Sequence, residues 1–223
     1  MRLVVIVKFL LIAVLPFIIF LCAAHLSIFD LSFYNREFLQ YGVQNEVQDV
    51  FSINEKVIKY IGGKSSELPA VFNGRETQHL YEVREIIKKS RLSLYLIIVS
   101  FTALLAYSSF LLKGNGSFID YTGNMLVYGG LFTLFFSAAI FLLIISNFSG
   151  FFDAFHESLF RKGTYLFDPS REIIVRIYPE QLFEDMGNKI SATAVEISLM
   201  SYIAGMLLLN RQRIHGIIRR LSS

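Results

Sequence analysis

Two histidines stand in polar sequence rather than at a membrane edge or in a tail. His79 follows Arg75-Glu76-Thr77-Gln78, and His156 lies early in the stretch Phe151 to Phe183. An imidazole titrates near pH 6.5, so it can take or give a proton at neutral pH and can also ligate a metal. Glu76 is three residues before His79, where on a helix its carboxylate could hold the imidazole tautomer. Phe152 and Phe160 flank His156 at i±4, and Phe155 adjoins it. Each histidine also has a bland reading. His79 could sit on a solvated helix face, and the phenylalanines around His156 could dip into a bilayer. His25 at the end of an apolar run and His215 in a basic tail are not expected to do chemistry. His79, His156 and Glu157 could together bind zinc. The spacing is not His-Glu-x-x-His, however, and adjacent helical residues point to different faces, so no metal is expected. Cys22 is the single cysteine, which excludes an internal disulfide and a cysteine zinc cluster. There is no Gly-x-Ser-x-Gly and no Gly-rich phosphate loop, and no cofactor is expected.

The elements that must position these residues are largely membrane spans. The chain of 223 residues is 54% hydrophobic and 17% charged, against about a quarter charged in soluble domains. Mean hydropathy is +0.52. Apolar runs of about 20 residues are long enough to cross a hydrocarbon layer of about 30 Å. Four are read: 1–26, 92–112, 122–147 and 190–210. The first is broken only by Lys8 and Pro16 and is read as an uncleaved span rather than a signal peptide. Ile19-Phe20-Leu21 before Cys22 is too bulky for a lipobox. The net charge of +3 suggests no nucleic-acid partner.

Between the spans lie two polar segments, 27–91 and 148–189. The first holds nine Lys/Arg and nine Asp/Glu, the second five and seven. Arg2, Lys113 and the tail arginines Arg211, Arg213, Arg219 and Arg220 lie on the other side. The positive-inside rule therefore puts both termini in the cytoplasm and both polar segments outside, although Lys88, Lys89 and Arg91 count against it. The tail, 211–223, also exerts some pull on anionic lipid.

Within 27–91, a turn and short aromatic helix are read over 30–42. Ser52 with Glu55 forms a capping-box pattern for a helix ended by Gly62-Gly63. Asn73-Gly74 predicts a hairpin turn. A helix restarting at Arg75 carries His79. Run continuously to Leu92, it would lift His79 about 20 Å above the hydrocarbon, so a bend or an in-plane helix is expected at Lys88–Arg91. Within 148–189, Ser149 is expected to cap a helix holding His156, with Gly163 as its stop. The alternation in Glu172–Tyr178 predicts a strand. The fold expected is thus four transmembrane helices with a small mixed extracytoplasmic cap built from two loops. Glu196, inside the fourth span, is a candidate for lining a site because a charge there is costly.

Two blocks read together carry a resemblance. One is Arg75-Glu76-x-x-His79-Leu80-x-Glu82-Val83-Arg84. The other is Phe152-x-x-Phe155-His156-x-x-x-Phe160-x-x-Gly163-x-Tyr165-x-Phe167, followed by Ile173-Ile174 and Tyr178-Pro179. They resemble the bacterial integral membrane family that includes the lipoprotein intramolecular transacylase, and Phe33-Tyr34 and Val57-Ile58-x-Tyr60 fit it too. The departures are Leu80, Glu82 and Arg84 where Met, Asp and Lys are expected, and Tyr165 where Trp is expected.

The resemblance implies a diacylglyceryl lipoprotein substrate in a membrane of ordinary lipids. The acyl chain on the second glyceryl carbon moves to the α-amine of the N-terminal cysteine, giving the lyso form. It implicates His79 and His156. Glu76, Tyr34, Phe152, Phe155, Glu157, Phe160 and Tyr165 are the candidate substrate contacts. Attack closes a ring of about eight atoms, which forms poorly unless the substrate is held in a near-attack shape. His79 is assigned as base and His156 as oxyanion donor or acid, an exchangeable split. Two other readings stay open: a membrane metallohydrolase using His79, His156 and Glu157, and a non-catalytic protein whose cap binds a partner.

Overall fold

The structure is a computed structural model that describes residues 2–113, 115–161 and 163–212. His215, Arg213, Arg219, Arg220 and Gly114 lie outside the described residues. In chain order the helices are α1 (Arg2–Ile28), α2 (Leu31–Gln40), α3 (Val43–Glu46), α4 (Val50–Ile61), α5 (Gly74–Leu112), α6 (Asn115–Ser146), α7 (Phe148–Leu159), α8 (Ile174–Ile177) and α9 (Glu180–Leu209). Four of them, α1, α5, α6 and α9, are long and apolar enough to cross a membrane. This is a multi-pass membrane protein, all-helical among the described residues. The chain divides into two compact units.

The spanning unit comprises residues up to 23, 94–140 and from 191 on. Its outward residues are apolar, as lipid requires: Val99 and Phe110 of α5 and Phe135 of α6 are exposed. Lipid tails are as apolar as leucine, so helix association here rests on close packing and on shared polar contacts. Glycine supplies the first. A Cβ at Gly130 of α6 would stand 2.9 Å from the Ser198 carbonyl oxygen of α9. Hydroxyls supply the second. Ser201 donates to the Leu126 carbonyl at 3.2 Å, and Ser108 pairs with Tyr121 at 3.1 Å. At one end of the unit Arg211 pairs with Asp120. Glu196 lies in this unit on an exposed face of α9.

The second unit comprises residues 24–93 and 141–190. Its core holds Phe33, Tyr34, Phe38, Val50, Val57, Ile177 and Leu182. Asp30 caps α2, accepting from the Ser32 and Phe33 amides at 3.0 and 3.3 Å, and also pairs with Lys189. The left-handed Gly63 (φ 77°) follows α4. α4 starts earlier than Ser52 would make it, at Val50. Burying Val50 on the same stripe as Ile53 and Val57 extends the helix backward, and Glu55 pairs with Lys59 at 2.6 Å instead of closing a capping box.

Two further local expectations are corrected. The alternating run 172–178 is not a strand. It forms the one-turn helix α8, because Ile174 and Ile177 share a helical face that is buried. The expected mixed architecture is therefore helical. Asn73-Gly74 is not a hairpin turn but the start of α5. α5 itself runs without interruption through Lys88–Arg91. Near that stretch the basic side chains brace the helix locally. Arg84 donates to the Ser65 carbonyl at 3.1 Å and lies over Tyr60. Arg91 donates to the Gly62 carbonyl at 3.2 Å and lies over Phe29.

The Gly130 contact is testable. Gly130→Val drives a side chain into the α9 backbone and should cost about 1–3 kcal/mol. Thermal unfolding in detergent should show the loss, while Tyr128→Leu at an exposed position stays within about 0.5 kcal/mol.

Candidate active site

His79 is positioned by the first turn of α5. Asn73 Oδ1 accepts from the amides of Arg75 and Glu76 at 2.9 and 3.0 Å, and Glu76 Oε2 accepts from the Asn73 amide at 2.7 Å. This is a reciprocal capping box that satisfies the open end of the helix. The other Glu76 oxygen accepts from the Ile174 amide of α8 at 2.7 Å. Glu76 is 1% exposed and both its oxygens are engaged by backbone. It therefore does not hold the His79 tautomer, nor does it open toward a substrate. It fixes the helix start one turn before His79.

His156 lies on α7, which Asn147 rather than Ser149 caps, its side chain accepting from the Gly150 amide at 3.1 Å. α7 ends at Leu159, and the left-handed Gly163 (φ 87°) lies beyond it. His156 Nδ1 is 2.8 Å from the Phe152 carbonyl oxygen. A carbonyl only accepts, so Nδ1 carries the proton and the neutral ring presents its lone pair at Nε2.

The two imidazoles lie nearly parallel, 6.4 Å apart between centres with 20° between planes. Phe160 touches both, at 4.7 Å from His79 and 5.3 Å from His156. Phe152 packs at 4.1 Å, Tyr165 at 5.4 Å and Phe155 at 5.6 Å from His156. Of the residues singled out from sequence, these six rings are brought together. His79 is 8% exposed and its Nδ1 is buried without a hydrogen-bond partner. Burial, reinforced by His156 and opposed by Glu82, lowers its pKa to about 4. The Tyr165 phenol is pushed up, by desolvation first and then by the Glu157 and Asp153 carboxylates.

Glu157 is exposed on α7. Tyr34 is not at the site. Its hydroxyl donates to the Ile28 carbonyl at 3.1 Å within the core. Three rings, Tyr178, Phe183 and Phe152, stand in series between Tyr34 and His156. Tyr34 was expected at the substrate because Phe33-Tyr34 fits the family pattern. Its burial against Phe33, Phe38 and Tyr178 is a tertiary fact that the local pattern does not carry. Among the described residues no three His, Cys, Asp or Glu side chains gather as metal ligands.

Other residues around the pair were not singled out as contacts. Phe167 meets His79 edge-on at 5.3 Å. Thr164 donates to Glu82 at 3.1 Å, and Arg75 pairs with Glu172 at 2.7 Å. The available signal was opposite charge in the two blocks that hold the histidines, a weak one in segments dense in charge.

Four helices long and apolar enough to span, and a paired-imidazole site walled by aromatic rings, define a multi-pass membrane protein with a histidine site in its second unit. The chain belongs to the lipoprotein intramolecular transacylase family, Lit, whose sequence profile matches residues 9–183. Its fold is similar to the in meso structure of the integral membrane lipoprotein intramolecular transacylase Lit from Bacillus cereus. The TM-score is 0.82 at 20% identity, covering 96% of this chain and 99% of the other. Two variants of the Bacillus cereus protein, each with one histidine replaced, by Arg or by Ala, are also similar. Their TM-scores are 0.78 and 0.77 at 21% identity, covering 96% of this chain and 95% and 96% of theirs. No curated protein sequence matches the chain at a significant level.

The depressed His79 pKa has a stability consequence. The unfolded imidazole titrates near 6.5. The unfolded chain therefore binds the extra proton between that pH and about 4, and stability falls as pH drops through the window. Unfolding in detergent from about pH 7 to about pH 4.5 should show about 2 kcal/mol lost from this group. His79→Phe should lack that part of the slope.

Proposed function

We propose that this protein carries out an intramolecular acyl transfer on diacylglyceryl lipoproteins. The chain on the second glyceryl position moves to the α-amine of the N-terminal cysteine, with His79 and His156 as the catalytic pair. Family membership supports the substrate class. The observation that carries the site is the pair of near-parallel imidazoles 6.4 Å apart inside an aromatic enclosure.

The N–H donor and lone pair of an imidazole lie in its ring plane, so a reacting centre at the edges of the two near-parallel rings, rather than between their faces, could engage both. Phe152, Phe155, Phe160 and Tyr165 would hold the substrate folded for ring closure and keep out water, which would otherwise take the acyl group.

The hydrogen bonding favours the exchanged assignment of roles. His156, with its proton fixed on Nδ1, offers Nε2 as the base. His79, whose burial keeps it neutral, is a poor base but can donate one N–H to the oxyanion, as a neutral imidazole electrophile. In the step itself, the amine nitrogen bonds to the ester carbonyl carbon. His156 Nε2 takes the amine proton. The bond from that carbon to the glyceryl oxygen breaks, and His156 returns the proton to the departing oxygen. No protein nucleophile is required. Glu157 and Asp153, on the same helix as His156, would favour approach of the N-terminus as a cation, which releases one proton to solvent before the neutral amine attacks.

The charge distribution supports cytoplasmic termini and an outward-facing site. The basic residues that counted against it are partly accounted for. Arg91 is engaged with Gly62 and Phe29, and Lys88 with Glu85 at 3.6 Å.

The test is mass spectrometry of lipoprotein N-termini in cells making the wild-type protein, His79→Ala or His156→Ala. Lyso-form product should appear with the first and vanish with either variant while the protein still accumulates in the membrane. Undiminished product from either variant would reject the paired-histidine site.

A further inference from the structure

Residues 163–172 form neither helix nor strand, yet they supply two rings of the enclosure. Tyr165 lies 5.4 Å from His156, and Phe167 lies 5.3 Å from His79. A segment with so little regular structure needs an external hold, and one side chain provides most of it. Arg75 Nη2 donates to the Leu166 carbonyl at 2.8 Å and to the Gly163 carbonyl at 3.3 Å. Its Nη1 donates to Glu172 Oε1 at 2.7 Å, and its guanidinium lies 5.5 Å from the centre of the Phe167 ring. The second Glu172 oxygen accepts from the Asp168 amide at 2.6 Å, and the carboxylate is buried. A single guanidinium thus engages the beginning, middle and end of the segment. Arg75 itself is fixed by the capped first turn of α5, four residues before His79 and on the same helix face.

We propose that Arg75 is the positioning residue of the site, holding residues 163–172 as a wall across the two imidazoles. It touches neither imidazole and acts through Tyr165 and Phe167. Lysine cannot replace it, because the role needs several donors in a fixed planar fork and not only a positive charge. The inference rests on the transacylase reading for its effect on turnover, but not for its effect on the environment of His79.

The test uses the full-length protein in detergent, with a diacylglyceryl lipopeptide as substrate and NMR of labelled histidine rings as a second readout. The variants are Arg75→Lys, Arg75→Gln and Glu172→Gln, with Arg84→Gln as the control on the same helix. With the wall released, His79 should gain water and its titration should rise by a unit or more, about tenfold in proton affinity. In both Arg75 variants kcat should fall roughly 10- to 100-fold, with a much smaller change in KM. Arg84→Gln should leave both readouts in place. Glu172→Gln gives the same direction should Arg75→Gln not fold. Unchanged His79 titration in folded Arg75→Lys and Glu172→Gln would overturn the proposal, as would full recovery of turnover by lysine. If the parent protein converts no lipopeptide, the transacylase reading fails instead, and the titration still decides whether Arg75 holds the wall.

Discussion

The buried carboxylate of Glu76 is the contact on which the second unit depends. It is a charged group with 1% of its surface exposed, and its oxygens meet only backbone amides, those of Asn73 and Ile174. Burying an ion without partners is prohibitive, so the geometry at Glu76 is tightly specified. Each charge-assisted hydrogen bond contributes about 1.5–3 kcal/mol, and the N-terminus of α5 adds a favourable field. Through Glu76, the start of α5 and the start of α8 are set relative to each other across 98 positions of sequence. His79, one turn further along α5, inherits that placement.

A second carboxylate, Glu172, repeats the device two residues before Ile174. It binds the Asp168 amide with one oxygen and Arg75 with the other. Consecutive residues Arg75 and Glu76 therefore hold two neighbouring points of the distant polar segment, and together they bring its aromatic residues to the imidazoles. The result is a site whose walls are apolar and whose supports are ionic. The two chemistries are separated. Charged pairs lie behind the rings, where they can be hydrogen-bonded, and His79 stands where burial depresses its basicity.

The spans were legible in the sequence because twenty consecutive apolar residues have few alternatives, whatever the tertiary context. Local punctuation was less reliable. Ile173, Ile174, Val175 and Ile177 satisfy a period of two about as well as one of 3.6, and the one-turn helix follows from burial of Ile174 and Ile177, a tertiary choice. Asn73-Gly74 fits a turn and a helix cap equally, and Glu76 three residues on decides for the cap. Reading Glu76 as a partner of His79 was sound as spacing, but its oxygens are taken by backbone from outside its own helix. The meeting of His79 with His156 had no local signal at all. Residue patterns shared with a family suggested it, and periodicity could not. The expected bend at Lys88–Arg91 came from a reach argument about the substrate and not from any residue pattern in that stretch.

Our central claim is that the enclosure folds one substrate on itself, so that the acyl chain never leaves the molecule on which it began. The most direct measurement is a crossover experiment with the purified protein. Two lipopeptides of different peptide mass would be mixed, one carrying an isotopically heavy acyl chain at the second glyceryl position and the other a light one. The account predicts products in which each peptide keeps its own label, with no mixed species by mass spectrometry. Heavy chain on the light peptide's amine, or an acylated form of the enzyme, would contradict it.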